Sequence, residues 1–439
     1  MDDILTAWKK TIEYLDVDTN DILKEMIEYI KEGYEVKDIY NKVVYDYQII
    51  INELLKITPG ISTGLYDVNN NIKVNTYDGN VSDIEEKNID KQTVFDASSM
   101  TKLFTIILLL KEEEKGNIDL NKKYSDYSNY LKDINVRIID SLRFLIELRT
   151  DGRLDEVGIS KKEILKRFKN IYTYKDNTFK YSDIPYMLVP LIFGKTKEES
   201  TENYLNLFYD TFKEIGLNQT GYSTINMTGG RIINDSNFNT IFDPKACIFE
   251  KKLGYISGHA GVTTTIEDLE KLFFELKRGF LKEDTLERMI EDTNYNRSAA
   301  VYINRKDISS SPVPRELSRK AFAISGSTGT YAVFDLESGL MSSFLANIKS
   351  TTDNKIINTG SIYKFGDSSV IIPENFETKV IGGTGTIKDG RIINKDGKEI
   401  TFFRATNNFK EIQINTLIRL RFLNNYTNIK KNKFLKLRR

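Results

Sequence analysis

The sequence predicts an α/β (α+β) protein in which an antiparallel sheet is flanked by helices and interrupted by an inserted all-helical domain. Three observations predict it. Strand patterns stand on either side of the middle of the chain, a hairpin at 61–79 and a second strand pair at 321–347. An apolar helix that opens with Ser99-Met100-Thr101-Lys102 follows the first hairpin. Between about 117 and 253 the periodicity is mostly helical, so strands distant in sequence must meet around that insertion.

Residues 1–57 alternate charged and apolar side chains at helical spacing, as in Ile22-Leu23-Lys24-Glu25-Met26-Ile27, and predict amphipathic helices that break at Gly33 and end before Pro59-Gly60. The hairpin follows: Gly64-Leu65-Tyr66-Asp67-Val68, a turn at Asn69-Asn70-Asn71, then Ile72-Lys73-Val74-Asn75-Thr76-Tyr77. After Lys102 the run Leu103–Leu110 is apolar nearly all round, and Lys111–Lys115 brings the helix to the surface, where Gly116 suits the left-handed closing position. Beyond the helical middle, Gly258 begins a loop that leads into a helix at Ile266–Leu276. Thr330–Phe334 and Leu340–Leu345 read as strands joined at Glu337-Ser338-Gly339. Strand-like pieces such as Val380–Ile387 precede a helix from about Lys410 to Asn428 and a basic tail that reads as a solvated terminus. The expected organisation is a helical extension over 1–57, a discontinuous α/β domain over 58–116 and 254–349, a helical insertion over 117–253, and a C-terminal extension over 350–439.

At 439 residues and 40% hydrophobic content the chain can bury a large core. Its 63 basic and 63 acidic residues cancel, so net charge points to neither nucleic acid nor a membrane surface as partner. No apolar run approaches the roughly 18 residues that a membrane span needs. Met1-Asp2-Asp3-Ile4 lacks a basic segment before an apolar core, which leads to the expectation of a cytoplasmic protein. Cys247 is the single cysteine and His259 the single histidine, so an intramolecular disulfide is excluded and a zinc site of those ligands is not expected; Cys247 reads as a small buried apolar residue. No cofactor is called for.

With one histidine, nucleophilic chemistry must use another base. A serine hydroxyl needs a neighbouring base, and a lysine amine serves if burial or nearby cations suppress its charge. Ser99 and Lys102 are three residues apart and share one face of the helix start, where backbone N–H groups favour developing negative charge. The bland reading of the same residues is a capping serine and a snorkelling lysine. The apolar run behind them implies burial, where a Ser and a Lys need either partners or a chemical task, and these residues alone do not favour the task over the bland reading.

Five segments, in order, then resemble the serine beta-lactamase and penicillin-binding protein superfamily, in particular its class C beta-lactamase-like esterases and D-peptidases. They are Phe95-Asp96-Ala97-Ser98-Ser99-Met100-Thr101-Lys102, Lys115-Gly116-Asn117-Ile118-Asp119-Leu120, Tyr181-Ser182-Asp183, Gly258-His259-Ala260-Gly261, and Ser325-Gly326-Ser327-Thr328-Gly329-Thr330. Together they cover about residues 58–349. The resemblance implies a beta-lactamase/transpeptidase-like fold and a serine hydrolase acting on a small ester or amide through an acyl-enzyme. It implies Ser99 as nucleophile, Lys102 and Tyr181 as partners in proton transfer, and the backbone N–H groups of Ser99 and Ser327 as the oxyanion hole. Asp183, Ser325 and Gly326 are implied on the substrate side of the cleft. His259 is expected to tie down its loop, and Gly382-Gly383-Thr384-Gly385 reads as a strand turn, not a phosphate cradle.

The sequence also departs from the family pattern. Ile324-Ser325-Gly326 stands where relatives begin the strand motif with Lys or His, and Asp183 replaces the usual Asn. Leu142–Gly152 differs from the corresponding loop of many relatives. These changes disfavour efficient beta-lactam hydrolysis. They also keep two other readings open: a binding or regulatory protein that retains the fold without activity, favoured by Ile324, and an acyltransferase with the same nucleophile.

Overall fold

The structure, a computed structural model, describes residues 2–15, 20–55, 58–81, 87–152, 154, 160–174, 181–222, 231–232, 254–293, 295–305, 311–347 and 402–437, with short strands between 362 and 400. It is a mixed helix and antiparallel-sheet protein, and the chain divides into two compact units. One comprises Met1–Lys91, Asn304–Ala323 and Ala332–Arg439; the other comprises Gln92–Ile303 and Ile324–Tyr331.

In the first unit, the strand Gly60–Asp67 lies between Ile72–Gly79 and Leu340–Ala346, antiparallel to both, with Ile61 opposite Asp78 on one side and Ala346 on the other. The central strand is buried on both faces, whereas Ile72–Gly79 is half-buried after its first residue, as an edge strand is. Asn347 fixes the sheet's end: its Oδ1 accepts from Gly60 N at 2.8 Å, and its Nδ2 donates to the carbonyls of Asn80 and Val81.

Helices cover this sheet. Val36–Leu54 buries Ile39, Val43, Tyr47, Ile51 and Leu54, one stripe at helical spacing. The Tyr47 hydroxyl donates to Thr63 Oγ1 at 2.9 Å and accepts from Gln413 Nε2 at 3.0 Å, which joins that helix to the sheet and to the C-terminal helix Phe402–Leu437. This last helix is longer at both ends than the expected 410–428, because no Gly or Pro interrupts 402–437. The expected hairpin turn is present, with Asn71 in the left-handed region at φ 51° and the Asp67 carboxylate accepting from the N–H groups of Asn69 and Asn70. Farther along, Gly383–Lys388 is a strand between Glu377–Val380 and Arg391–Asn394. Gly382 and Cys247 lie outside the described residues.

The second unit is built around the helix Thr101–Glu114, in which every residue from Thr101 to Leu110 is buried. Burial on all sides explains why that run carries no amphipathic stripe. Phe104 packs edge-on against Phe212 at 5.4 Å, which docks the helix Lys197–Glu214. Gly116 follows the helix at φ 78°, the closing role anticipated for it. Between 117 and 222 lie the further helices Ile138–Leu142, Lys161–Lys169 and Ile184–Leu188, and also a small strand pair, Glu147–Arg149 with Tyr172–Tyr174, that helical periodicity did not announce. Thr93–Asp96 pairs with Val262–Thr264 and leads directly into the Ser99 segment. Among the described residues, no helix is long and apolar enough to cross a membrane and no metal-binding group of side chains gathers.

Candidate active site

Strand pairing aims the Ser99 segment. Ala97 N donates to Val262 O at 2.8 Å at the end of Thr93–Asp96, and the chain then turns sharply at Ser98, whose φ of 47° lies in the left-handed region. A non-glycine residue holds that conformation only if its surroundings impose it. Here Asp96 Oδ1 accepts from Ser98 N at 2.7 Å, and the Ser98 hydroxyl meets Ser327 Oγ at 2.8 Å. A short 3₁₀ turn, Ser98–Met100, then enters the long helix. Ser99 is half-buried while Lys102, one turn on, is fully buried, so the hydroxyl is reachable from outside and the amine lies beneath it.

Three acceptors surround Lys102 Nζ: Ser99 Oγ at 3.1 Å, the His259 carbonyl at 3.1 Å and Asp183 Oδ1 at 2.8 Å. The Tyr181 hydroxyl donates to Ser99 Oγ at 2.9 Å. Hydroxyl, amine and phenol therefore meet, although 82 residues of chain separate Ser99 from Tyr181. Tyr181 is 37% exposed, with its ring against Phe144 at 5.2 Å and its oxygen turned to the cluster. Asp183 begins the helix Ile184–Leu188 but makes no capping bond with its side chain, because the carboxylate is engaged by Lys102.

The charges settle one another. Burial pulls the Lys102 amine down, but Asp183 and Tyr181 outweigh it and hold the ammonium above its ordinary range. Burial pushes the Asp183 carboxyl up, but the Lys102 ammonium, with help from His259, brings it down to about 2. For Tyr181, burial and the Asp183 charge raise the phenol, and Lys102 opposes them without prevailing. The resting cluster is thus an ammonium, a carboxylate and a neutral phenol. The suppressed charge expected of a buried lysine does not arise, since Asp183 stands at its side.

The strand Ala321–Gly326 and the residues after it form the opposite wall. Thr328 Oγ1 donates to Asp96 O at 2.7 Å and Thr330 Oγ1 to Ala97 O at 3.2 Å. A side chain at Gly326 would bring its Cβ within 2.4 Å of Ala97 O, so only glycine permits this approach. Ser325 is half-buried, and Ile324 is buried at 1% exposure and brings no charge. His259 is buried with Nδ1 2.5 Å from Ser257 Oγ, and besides its electrostatic effect on Asp183 it offers its backbone carbonyl to Lys102. Sequence reasoning missed that carbonyl and also missed Arg297, whose guanidinium lies 4.6 Å from the Tyr181 ring centre. The carbonyl sits in the Gly258-His259-Ala260-Gly261 segment, but a backbone contact leaves no side-chain signal there, and Arg297 belongs to none of the five segments.

A family model described as Beta-lactamase matches residues 50–362, which is most of the chain. The chain belongs to the beta-lactamase family. Beta-lactamase-like protein 4 of Dictyostelium discoideum is 26% identical over 261 residues, covering 51% of this chain and 45% of the relative, so the chain spans about half the length of the curated protein it matches. A class C beta-lactamase solved in complex with cefoxitin is similar in structure, with a TM-score of 0.50, 14% identity, and 73% of this chain and 97% of that one covered. Another class C beta-lactamase also gives 0.50 at 14% identity, covering 73% and 96%. At such identities the likeness is one of fold, a beta-lactamase fold.

Proposed function

We propose that this beta-lactamase-family chain is a serine hydrolase that acts through an acyl-enzyme on a small ester or amide. The observation that carries the proposal is the convergence of Tyr181 Oη and Lys102 Nζ on Ser99 Oγ, at 2.9 and 3.1 Å. In the reaction, Ser99 Oγ forms a bond to the substrate carbonyl carbon while its proton passes to Tyr181 Oη. The phenol's own proton moves to the Asp183 carboxylate, whose charge already bears on the phenol, and returns to Tyr181 Oη once the leaving group has been protonated. Lys102 stays protonated, orients Ser99 Oγ and balances the charge that develops on it. Collapse of the tetrahedral species breaks the bond to the leaving group, which takes a proton from Tyr181. Water then attacks the acyl carbon by the same relay in reverse roles and frees Ser99.

The carbonyl oxygen is assigned to the backbone N–H groups of Ser99 and Ser327, supported by the close approach of the two segments at Gly326 and by the Ser98–Ser327 hydroxyl contact. Such donors are worth about 3–4 kcal/mol each in a water-excluded site. Incubation with a fluorophosphonate followed by peptide mass mapping tests the proposal. The expected result is one adduct on Ser99, absent from Ser99→Ala. No adduct under conditions that label a control serine hydrolase, or an adduct that persists in Ser99→Ala, overturns it.

A further inference from the structure

The loop over 257–261 has a backbone that does not stiffen itself: Gly258 and Gly261 flank His259 and Ala260, and Gly261 sits at φ 109°. It is nevertheless pinned at three successive carbonyls, each by a buried side chain. Ser257 O accepts from the Tyr222 hydroxyl at 3.1 Å, Gly258 O from Thr105 Oγ1 at 2.8 Å, and His259 O from Lys102 Nζ at 3.1 Å. Lys102 and Thr105 stand three residues apart on one face of the helix Thr101–Glu114, so that helix meets consecutive carbonyls of the loop. Only glycine fits at 258, where a Cβ would stand 2.8 Å from Tyr186 O and 3.0 Å from Thr105 Cγ2. The far end of the loop is anchored by Val262, whose N–H donates to Thr101 Oγ1 at 3.1 Å and whose carbonyl accepts from Ala97 N at 2.8 Å.

A fully buried ammonium has three N–H donors to satisfy, and those of Lys102 go to Ser99 Oγ, Asp183 Oδ1 and His259 O. Ser99 is half-buried and the Asp183 side chain is half-exposed, so His259 O is the acceptor held from inside the protein. A turn of that carbonyl leaves one donor unmet or lets the ammonium swing away from Ser99 Oγ. What fixes the residue is a side-chain bond across Gly258: Ser257 Oγ and His259 Nδ1 lie 2.5 Å apart, both residues are buried, and one proton joins them in either tautomer. That bond closes the residues on the two sides of the glycine into a small ring, which the glycine backbone alone would not keep shut.

We infer that Ser257 and His259 form a clamp that positions Lys102: the bond between their side chains keeps His259 O on the ammonium, and the ammonium is thereby held on Ser99 Oγ. Both are positioning residues, which act through a backbone oxygen and touch no substrate atom. The protein's single histidine thus has a task that requires no proton transfer to or from the substrate. The inference rests on the serine-hydrolase reading for its effect on rate, but not for the geometry it asserts.

The test measures kcat and KM on 4-nitrophenyl butyrate for wild type, Ser257→Ala, His259→Ala, His259→Asn and the double variant Ser257→Ala/His259→Ala, with a urea melt of each. Ser257→Ala and His259→Ala are each expected to lower kcat about tenfold while KM stays within about twofold of wild type, the scale of one hydrogen bond to a charged group. The double variant is expected to fall no further than the slower single one, since either change opens the same clamp. His259→Asn, whose amide can take the place of Nδ1 opposite Ser257 Oγ, is expected to recover kcat to within about threefold of wild type. A folded Ser257→Ala with wild-type kcat, losses that multiply in the double variant, a rise in KM alone, or equal losses in His259→Asn and His259→Ala each overturn the inference. Should Ser257→Ala fail to fold, the comparison of the two substitutions at position 259 decides. If wild type does not hydrolyse the ester, the hydrolase reading fails, and the crystal structure of a folded single variant tests the clamp by itself. A distance beyond about 3.5 Å from Lys102 Nζ to the carbonyl of residue 259 upholds it, and a contact still within that reach overturns it.

Discussion

Asp183 Oδ1 lies 2.8 Å from Lys102 Nζ, and this contact decides the protonation of the whole cluster. The carboxylate raises both the Lys102 amine and the Tyr181 phenol, so a neutral side chain of the same shape lowers both. Asp183→Asn is therefore expected to move the alkaline limb of the kcat/KM profile to lower pH. It also removes the proposed final proton acceptor of the relay, and a loss of about 10²–10³-fold in kcat is expected. A pH–rate profile of both proteins on one ester checks the two effects together. An alkaline limb that moves upward, or a full rate in Asp183→Asn, contradicts the assignment.

The same pair couples to folding. Asp183 titrates at about 2 in the folded chain against an ordinary 3.8, so its contribution to stability is present above the ordinary value and disappears as pH falls through the folded one. Nearly half of its side chain reaches solvent, which keeps that contribution small. The difference in urea midpoint between wild type and Asp183→Asn is expected to narrow steadily as pH drops from about 4 to 2. A difference that is constant over that interval would show that the pair carries no linkage.

Tyr181→Phe separates chemistry from packing. The ring keeps its contacts with Phe144 and Arg297, and only the hydroxyl that donates to Ser99 is lost. Acylation is expected to slow by about 10²–10⁴-fold. Stability is expected to change by no more than about 1 kcal/mol, the net worth of one hydrogen bond near the surface. Single-turnover kinetics with a chromogenic ester and a urea melt measure the two quantities.

Much of this site is legible in the sequence, and what is not has physical reasons. Ser99 and Lys102 were legible because three residues along a helix make one face, and the apolar run behind them signalled burial. Tyr181 and Asp183 carry no local signature of contact with Ser99, and only the order of five segments connected them. Arg297 stayed hidden because its hairpin turns on Ala299-Ala300 where sequence rules look for Asn or Gly at positive φ. The final helix, Phe402–Leu437, outruns its expected span for the opposite reason. Lys430, Lys431 and Lys433 suggest a solvated end, but without a helix breaker they continue the turns, and Lys433 reaches Asp3 at 2.5 Å.

Gly326→Ala tests the wall beside Ser99, the proposed nucleophile. The added Cβ would stand 2.3 Å from Thr330 Oγ1 and 2.4 Å from Ala97 O, so strand and nucleophile segment must separate by several tenths of an ångström. That displacement moves the Ser327 N–H away from its proposed task, and kcat is expected to fall about 10²–10³-fold. Overpacking is expected to lower stability by about 1–3 kcal/mol. A folded Gly326→Ala protein with wild-type kcat would remove Ser327 from the oxyanion hole.

A last expectation concerns the unit formed by the terminal helices. Asp67 and Arg421 pair at 2.5 Å with side chains 0% and 3% exposed, and Arg421 also donates to Ser338 O at 2.7 Å. The charges hold a hairpin turn, a strand and the C-terminal helix at one point. Arg421→Ala leaves the Asp67 carboxylate buried without its cation, a defect that costs about 3–5 kcal/mol. Asp67→Asn/Arg421→Met removes both charges, and although the amide is a poorer acceptor for the turn N–H groups of Asn69 and Asn70, it avoids the isolated ion. The double variant is therefore expected to be more stable than Arg421→Ala alone, the order that sets a buried pair apart from a surface one. Urea denaturation of the three proteins gives that order directly, and a double variant less stable than the single would mean that the carboxylate, through its turn hydrogen bonds, matters more here than the pairing.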